Sequence, residues 1–376
     1  MSSLIQKVKF NLVNKSGWKT NRKIVVFESD DWGSIRLPDI ALYSAYKKRF
    51  PEYLNNPYLK YDSLASSDDL NSLFELLSSF KDKNNNSPIF TFNTVVANPD
   101  FEKIKNSDYK NYYYEPFTAT LEKYSKHSNT FQLWQQAIEN KLMYPQFHGR
   151  EHVNVPLWLS LLQSNNSNVI DAFELGTWSA PSTKKSKINI QASLDWETEQ
   201  PLAYQKLFIS EGLALFESLF KFKSTTMIPN NYTIDLNLFP TLKENAIEAL
   251  QGMKYQKLPY GNSEKKSHDM IRRYLGDSIS LDIIDLVRNC QFEPSQTEEN
   301  YDDVGNCLSA ISNAFFWKKP AIIDTHRLNY IGVYDIQNRD KNLKSLNILI
   351  QKIVKKWPDV EFMNSSDLAS LIKSSK

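Results

Sequence analysis

Cysteine is nearly absent. Cys290 and Cys307 are the only two, with no CxxC spacing and no framework of pairs, so a disulfide scaffold is excluded and free thiols in a reducing compartment are expected. Charge of one sign is also lacking. A net charge of +2, with no basic stripe interleaved with aromatics, removes nucleic acid from the expected partners and gives no pull toward a membrane surface. The chain has no apolar run of about 18 residues, the length of a membrane span. Its opening MSSLIQKVKFNLVNKSGW has no signal-type apolar core. A cytoplasmic protein without a transmembrane segment is therefore expected. Internal repeats and low-complexity tracts are missing beyond short Asn/Ser breakers. What is there is ordinary globular material: 376 residues, 41% apolar and 23% charged, enough for a large core and incompatible with wholesale disorder.

The stretch Lys23 to Gly33, KIVVFESDDWG, reads as a buried strand that ends on adjacent acids. Pro38 to Phe50 and the segment from Ser67 through DLNSLFELLSSF have the spacing of amphipathic helices. After the polar KDKNNNS comes a second strand, Pro88 to Val96. Segment 97–143 is long. It carries the aromatic run Tyr109, Tyr112, Tyr113, Tyr114 and Phe117, which is either packing under a loop or a sugar platform, and then a helix around TFQLWQQAIENKL. Further strands are expected at Tyr144 to Phe147, Ile188 to Trp196, Ser224 to Ile228, LDIIDLV, Pro320 to Thr325 and DVEF. Helices are expected at Val155 to Gln163, through DAFEL, from about Pro201 to Phe222, and at 237–252, 301–317, 340–356 and SSDLASLIK. Strands alternating with helices predict parallel strands covered by helices, in a barrel or a doubly wound sheet.

Histidine is scarce, with five in the chain, yet His148 and His152 fall four apart in FHGREH. On a helix that spacing puts both imidazoles on one face, within reach of one ion. This pair, the pair Asp30 and Asp31, and His326 all sit at expected strand ends, where α/β enzymes place their chemistry. One Asp and two His leave an open side for water and substrate. An ion held there brings the pKa of its water to about 7 and polarises a carbonyl. A second carboxylate can take the proton and a histidine can protonate the leaving group. Asp30 and Asp31 would divide the ligand and base roles, and His326 would be the acid. Asp324, two residues before His326 on one strand, faces the same side and is expected to hold the imidazole's tautomer.

In order along the chain, these motifs resemble those of the polysaccharide deacetylases, carbohydrate esterase family 4 with the NodB-homology fold. ESDDWG looks like that family's TFDDG, HGREH like its H(S/T)xxH, and IIDTHRLNY occupies the place of its last, histidine-bearing motif. The resemblance runs from Lys23 to the closing DVEFMNSSDLASLI. It implies a single distorted (β/α)7 barrel over residues 1–376, with insertions at 34–87 and 97–143. It implies a divalent metal, zinc first and Mn2+, Co2+ or Ni2+ next, bound by Asp31, His148 and His152. Asp30 would be the base and His326 the acid, acting on an N- or O-acetylated sugar or glycan.

The departures are specific. The family's Arg-bearing third motif has no match with an Arg. IPNNY, with Asn231 and Tyr232, is the best counterpart by position, and LPYG at Leu258 to Gly261 is the next. Arg36, Arg150 and Arg327 are the candidates to replace the missing cation. Asp195 and Trp196 match the family's Asp-Trp pair earlier in the chain than expected, and Glu28 adds a third carboxylate. Trp32, Arg150, Asp324, Arg327, Asn231 and Tyr232 complete the expected supporting set, and Asn329 is expected to contact substrate or cap its loop. His127 and His268, in polar contexts, are expected at the surface, and Trp178 and Trp196 in the core or at a rim. Two other readings stay open: a metal-dependent amidohydrolase or glycoside-cleaving barrel enzyme on another small substrate, and a non-catalytic glycan-binding barrel.

Overall fold

The computed structural model describes residues 11–53, 55–181, 186–261 and 267–376. Most of the N-terminal stretch in which no signal core was read lies outside them. Seven parallel strands form the wall of a barrel: β1 Lys23–Trp32, β2 Phe90–Thr94, β3 Met143–Phe147, β4 Thr226–Met227, β5 Ala249–Gly252, β6 Ile283–Val287 and β7 Ala321–His326. Their order around the wall is β6-β5-β4-β3-β2-β1-β7. One segment closes the ring. β6 pairs with β5 through Ile284 to Val287, and its continuation Cys290–Gln291 pairs with β7. Between the two, the Arg288 amide donates to Gly252 O and the Asn289 amide to Ile322 O. This is the distorted (β/α) barrel that the family resemblance implied, and one of the two arrangements, barrel or doubly wound sheet, open from the alternation of strands and helices. A short β8, Val360–Phe362, adds to the start of β1.

The first halves of β1 and β7 are apolar without alternation because both faces are covered. Ile24 to Phe27 and Ala321 to Ile323 have no exposed surface. The outer layer includes α1 Ser67–Ser78, α2 Thr130–Glu139, α3 Leu202–Phe220, α4 Asp303–Phe316, α5 Ile336–Lys356 and α6 Ser365–Ser374. α1 starts at a full capping box, with Ser66 and Asp69 satisfying each other's backbone amides. The aromatic run of segment 97–143 is largely packing: Tyr109 and Tyr112 join Trp158 and Phe173 in one cluster. Among the described residues, no helix is long and apolar enough to cross a membrane.

Two expected elements are different. Ile188 to Trp196 is a chain of turns, not a strand. Its burial does not alternate, since Ala192, Ser193, Leu194 and Asp195 are all buried. The backbone bonds to a side chain: Asn154 Nδ2 donates to Ala192 O and to Asp195 O, both at 2.8 Å. The helix expected at 237–252 covers only Phe239–Glu244, after which the chain turns through Ala246 at φ +68° and runs into β5. Four buried residues, ALQG, are too few for periodicity to tell helix from strand.

Candidate metal centre and active site

Strict alternation along β1 would send Asp30 and Asp31 to opposite faces. A bulge prevents this. Opposite β2, Ser29 pairs with Phe92 but Trp32 pairs with Thr94, so β1 holds one extra residue there. Asp31 absorbs it at φ +73°, a conformation costly for a side chain with a Cβ and typical of functional sites. Gly33 follows at φ +82°, where a Cβ would lie 2.3 Å from Val95 O. Both acids thereby line the same pocket, of about 480 Å3, together with His148, His152 and His326.

His148 and His152 reach Asp31 from a loop rather than from a helix. Gly149, at φ +113°, turns the chain where a Cβ would meet Asn230 Oδ1 at 2.8 Å. Arg150 and Glu151 point the other way, paired with each other and with Tyr204 and Glu211 on α3. Each imidazole presents Nε2 to Asp31 Oδ1, at 3.3 Å from His148 and 3.2 Å from His152. All three ligand atoms lie within 4.8 Å of one another.

The chemistry of this set fits a divalent ion. His148 Nδ1 lies 2.8 Å from Ile228 O, which requires Nδ1 to be the donor. In the neutral ring Nε2 then carries a lone pair facing a carboxylate oxygen, an arrangement a cation between them resolves. Burial pushes His152 below its usual pKa and so toward the neutral, ligating form. Burial would raise Asp31, but His152 and His148 when protonated, and Arg36 throughout, hold it well below the usual carboxylate range.

On the opposite side of the pocket stands a cation that sequence reasoning missed. Arg288, fully buried at the exit of β6, grips Asp30 with Nη2 to Oδ1 at 2.6 Å and Nη1 to Oδ2 at 2.8 Å. It also donates to Glu28 at 2.7 Å and bonds Asp324. Asn93 donates to Asp30 Oδ1 at 2.7 Å. Burial would raise the Asp30 pKa, and the Arg288 charge and hydrogen bonds outweigh it and keep the group ionised. The one signal available was a lone Arg directly after the apolar run LDIIDLV, at a strand exit like those of the other site residues. None of Arg36, Arg150 or Arg327 fills this place.

Asp324 therefore belongs to Arg288, not to His326. The imidazole's partner is Glu293, which bonds Nδ1. His326 Nε2 is left toward the pocket, 3.8 Å from Asp30 Oδ2. Burial would lower the His326 pKa, but Glu293, then Asp30 and Asp324, raise it well above the usual value. Asp30, Asp324 and His326 also lie close enough to share an ion, yet Arg288 already bonds both acids.

The supporting residues divide. Asn231 and Tyr232 line the pocket in the left-handed conformation, at φ +53° and +59°. Asn329 lies beneath it and donates to Glu293 Oε2 at 2.8 Å. Arg327 is buried and anchors Asp62 with two bonds of 2.9 Å. Arg150 does not line the pocket, and Trp32 is a core residue stacked 3.6 Å from Phe92. His127 is no surface histidine: it is buried between Ala65 O and Pro38 O, at 2.9 and 3.1 Å. His268 is half-buried and bonds Asp195 at 2.7 Å. Asp195 Oδ1 accepts the Trp196 and Tyr260 amides at 2.9 and 2.8 Å, so this acid braces a loop outside the pocket. Trp178 is buried and stacked on His152.

No protein-family model and no curated protein sequence matches the chain. Among solved structures, a Mycobacterium smegmatis protein assigned as a polysaccharide deacetylase aligns at 9% identity and a TM-score of 0.46, over 96% of this chain and 94% of its own. Puue allantoinase aligns at 9% and 0.46, over 94% and 91%. The 4-alpha-glucanotransferase from Thermococcus litoralis aligns at 10% and 0.44, over 93% and 40%. Alignments this loose carry no functional argument for this chain.

Proposed function

We propose that the chain is a metal-dependent hydrolase that removes an acetyl group, N- or O-linked, from a sugar or glycan precursor. One observation carries the reading. A carboxylate and two imidazoles converge on one side of a pocket whose other side holds an ionised acid on an arginine and a protonated imidazole on a glutamate. Asp31, His148 and His152 would hold a divalent ion, zinc in the first instance, which when bound activates water and polarises the acetyl carbonyl.

The chain's own groups do the rest. Asp30, fixed by Arg288 and Asn93, accepts the proton of the attacking water. His326, with Nδ1 tied to Glu293, offers the Nε2 proton to the departing amine or alcohol. Each such transfer is worth about 10²–10⁴-fold in rate. A glycan-binding module has no use for an ionised acid and a protonated imidazole set 3.8 Å apart beside a set of metal ligands.

The test is bound metal by elemental analysis, together with acetate release from N-acetylglucosamine oligomers and sugar nucleotides. His148→Ala is expected to lose the metal, and Asp30→Asn to keep it and lose turnover. Full metal content in His148→Ala would remove the site as drawn. Metal without acetate release from any acetylated sugar would favour an amidohydrolase on another small substrate.

A further inference from the structure

Arg36 is almost fully buried, and beyond its charge beside Asp31 it has no role assigned above. Its Nη2 lies 3.3 Å from Asp31 Oδ2, the oxygen that does not face the imidazoles. Its Nε donates to Asp62 Oδ2 at 2.7 Å, and Asp62 is itself locked by Arg327. The guanidinium sits over the Tyr58 ring at 4.9 Å and over the Trp178 ring at 5.1 Å. Each of those rings touches a different imidazole of the site. Trp178 stacks on His152, with centroids 5.7 Å apart and planes 7° from parallel. Tyr58 meets His326 edge-on at 5.5 Å. Arg36 Nη1 is buried with no hydrogen-bond partner, so the side chain's bonds go entirely to the two acids.

We propose that Arg36 is a positioning residue of the metal centre, holding Asp31 by Oδ2 so that Oδ1 alone meets the imidazole pair. The inference rests on the reading that Asp31, His148 and His152 bind a divalent ion. Left to itself, a carboxylate at a bulge can rotate about its terminal torsion and offer both oxygens, because that torsion is soft. A planar guanidinium fixed at Asp62 and in contact with two rings removes that freedom, which a flexible ammonium cannot do. Through Trp178 the same group also sets the plane of His152. Outer groups that orient ligands in this way change metal affinity by about 10–100-fold when removed.

The experiment compares wild type, Arg36→Met and Arg36→Lys in the full chain. Zn2+ affinity is measured by competition with a chromophoric chelator, and the visible absorption of the Co2+-loaded protein reports ligand geometry. Arg36→Met is expected to bind Zn2+ about 10–100-fold more weakly, with a changed Co2+ spectrum. Arg36→Lys, which keeps the charge and loses the fork, is expected to show the same changed spectrum. Should Arg36→Met not fold, the lysine variant carries the test by itself. Unchanged or tighter Zn2+ binding, or a lysine variant with the wild-type Co2+ spectrum, would overturn the positioning role and leave the metal centre standing. A wild type that binds no divalent ion would overturn both.

Discussion

Replacing Arg288 with methionine should reverse the contribution that Asp30 makes to the pH dependence of stability. In the wild type the guanidinium is in contact with Glu28, Asp30 and Asp324, all of them buried. Methionine leaves three carboxyl groups with only the more distant His326 as counter-charge, and losing one partner of a buried pair costs about 3–5 kcal/mol. The sign follows from Asp30. With Arg288 present its folded pKa is depressed, so its contribution is in place above the unfolded value and is lost as pH falls. Without Arg288 burial dominates and the folded pKa is raised, so stability is gained as pH falls and the carboxyls take up protons. The loss should be near its full size at pH 7–8 and shrink toward pH 4. Urea unfolding at several pH values measures it directly. Turnover should fail at neutral pH in the same variant, since a protonated Asp30 accepts no proton. A penalty below about 1 kcal/mol, or one equal at pH 5 and pH 8, would refute the ion cluster as described.

Glu293→Gln removes the charge that raises His326, so the alkaline limb of the rate profile, where the acid loses its proton, should move to lower pH. An unmoved limb would exclude this dyad from the reaction. Glu361, beside Arg22 and Lys83, has its pKa held down to about 2, mainly by the hydrogen bond from Arg22. Its contribution is present above the unfolded value of 4.5 and disappears as pH falls toward 2. With Arg22 40% exposed, solvent screening limits it to about 1 kcal/mol, so Glu361→Gln should lower the melting midpoint at pH 7 and leave it unchanged near pH 2. Phe27→Ala, in the centre of β1, should cost about 3–5 kcal/mol by urea unfolding. A cost below about 1 kcal/mol there would contradict the packing of β1 against Phe90 and Phe362.

The strand ends were legible because the chemistry changes abruptly there. KIVVF gives way to ESDD, and AIID to TH, and any residue at such an exit is a candidate. What stayed hidden depends on contacts between distant segments. The bulge at Asp31 leaves no mark on the strand's apolar pattern, since Asp30 and Asp31 look alike whether or not the register slips. Glu293 was invisible for another reason: it follows the closing segment in a stretch with no periodicity, and only the fold brings it to His326. His148 and His152 have a spacing that suggested a helix, and they meet through a glycine-turned loop instead, because tertiary contacts of Arg150 and Glu151 overrule local preference. Asp324 was given the nearer partner in sequence, His326, when a charged group from another strand had the stronger claim.

The seam of the cylinder has a consequence for how this protein can evolve. One stretch of backbone is shared there between two neighbours, with four paired positions toward β5 and two toward β7. Arg288 stands at the junction and ties it to carboxylates on β1 and β7. On the proposed function, the same ions that ready the pocket for chemistry also tie the cylinder together. Mutations that retune this acid cluster for a new substrate will loosen the scaffold as they do so, and successful variants should carry a second change that tightens the seam.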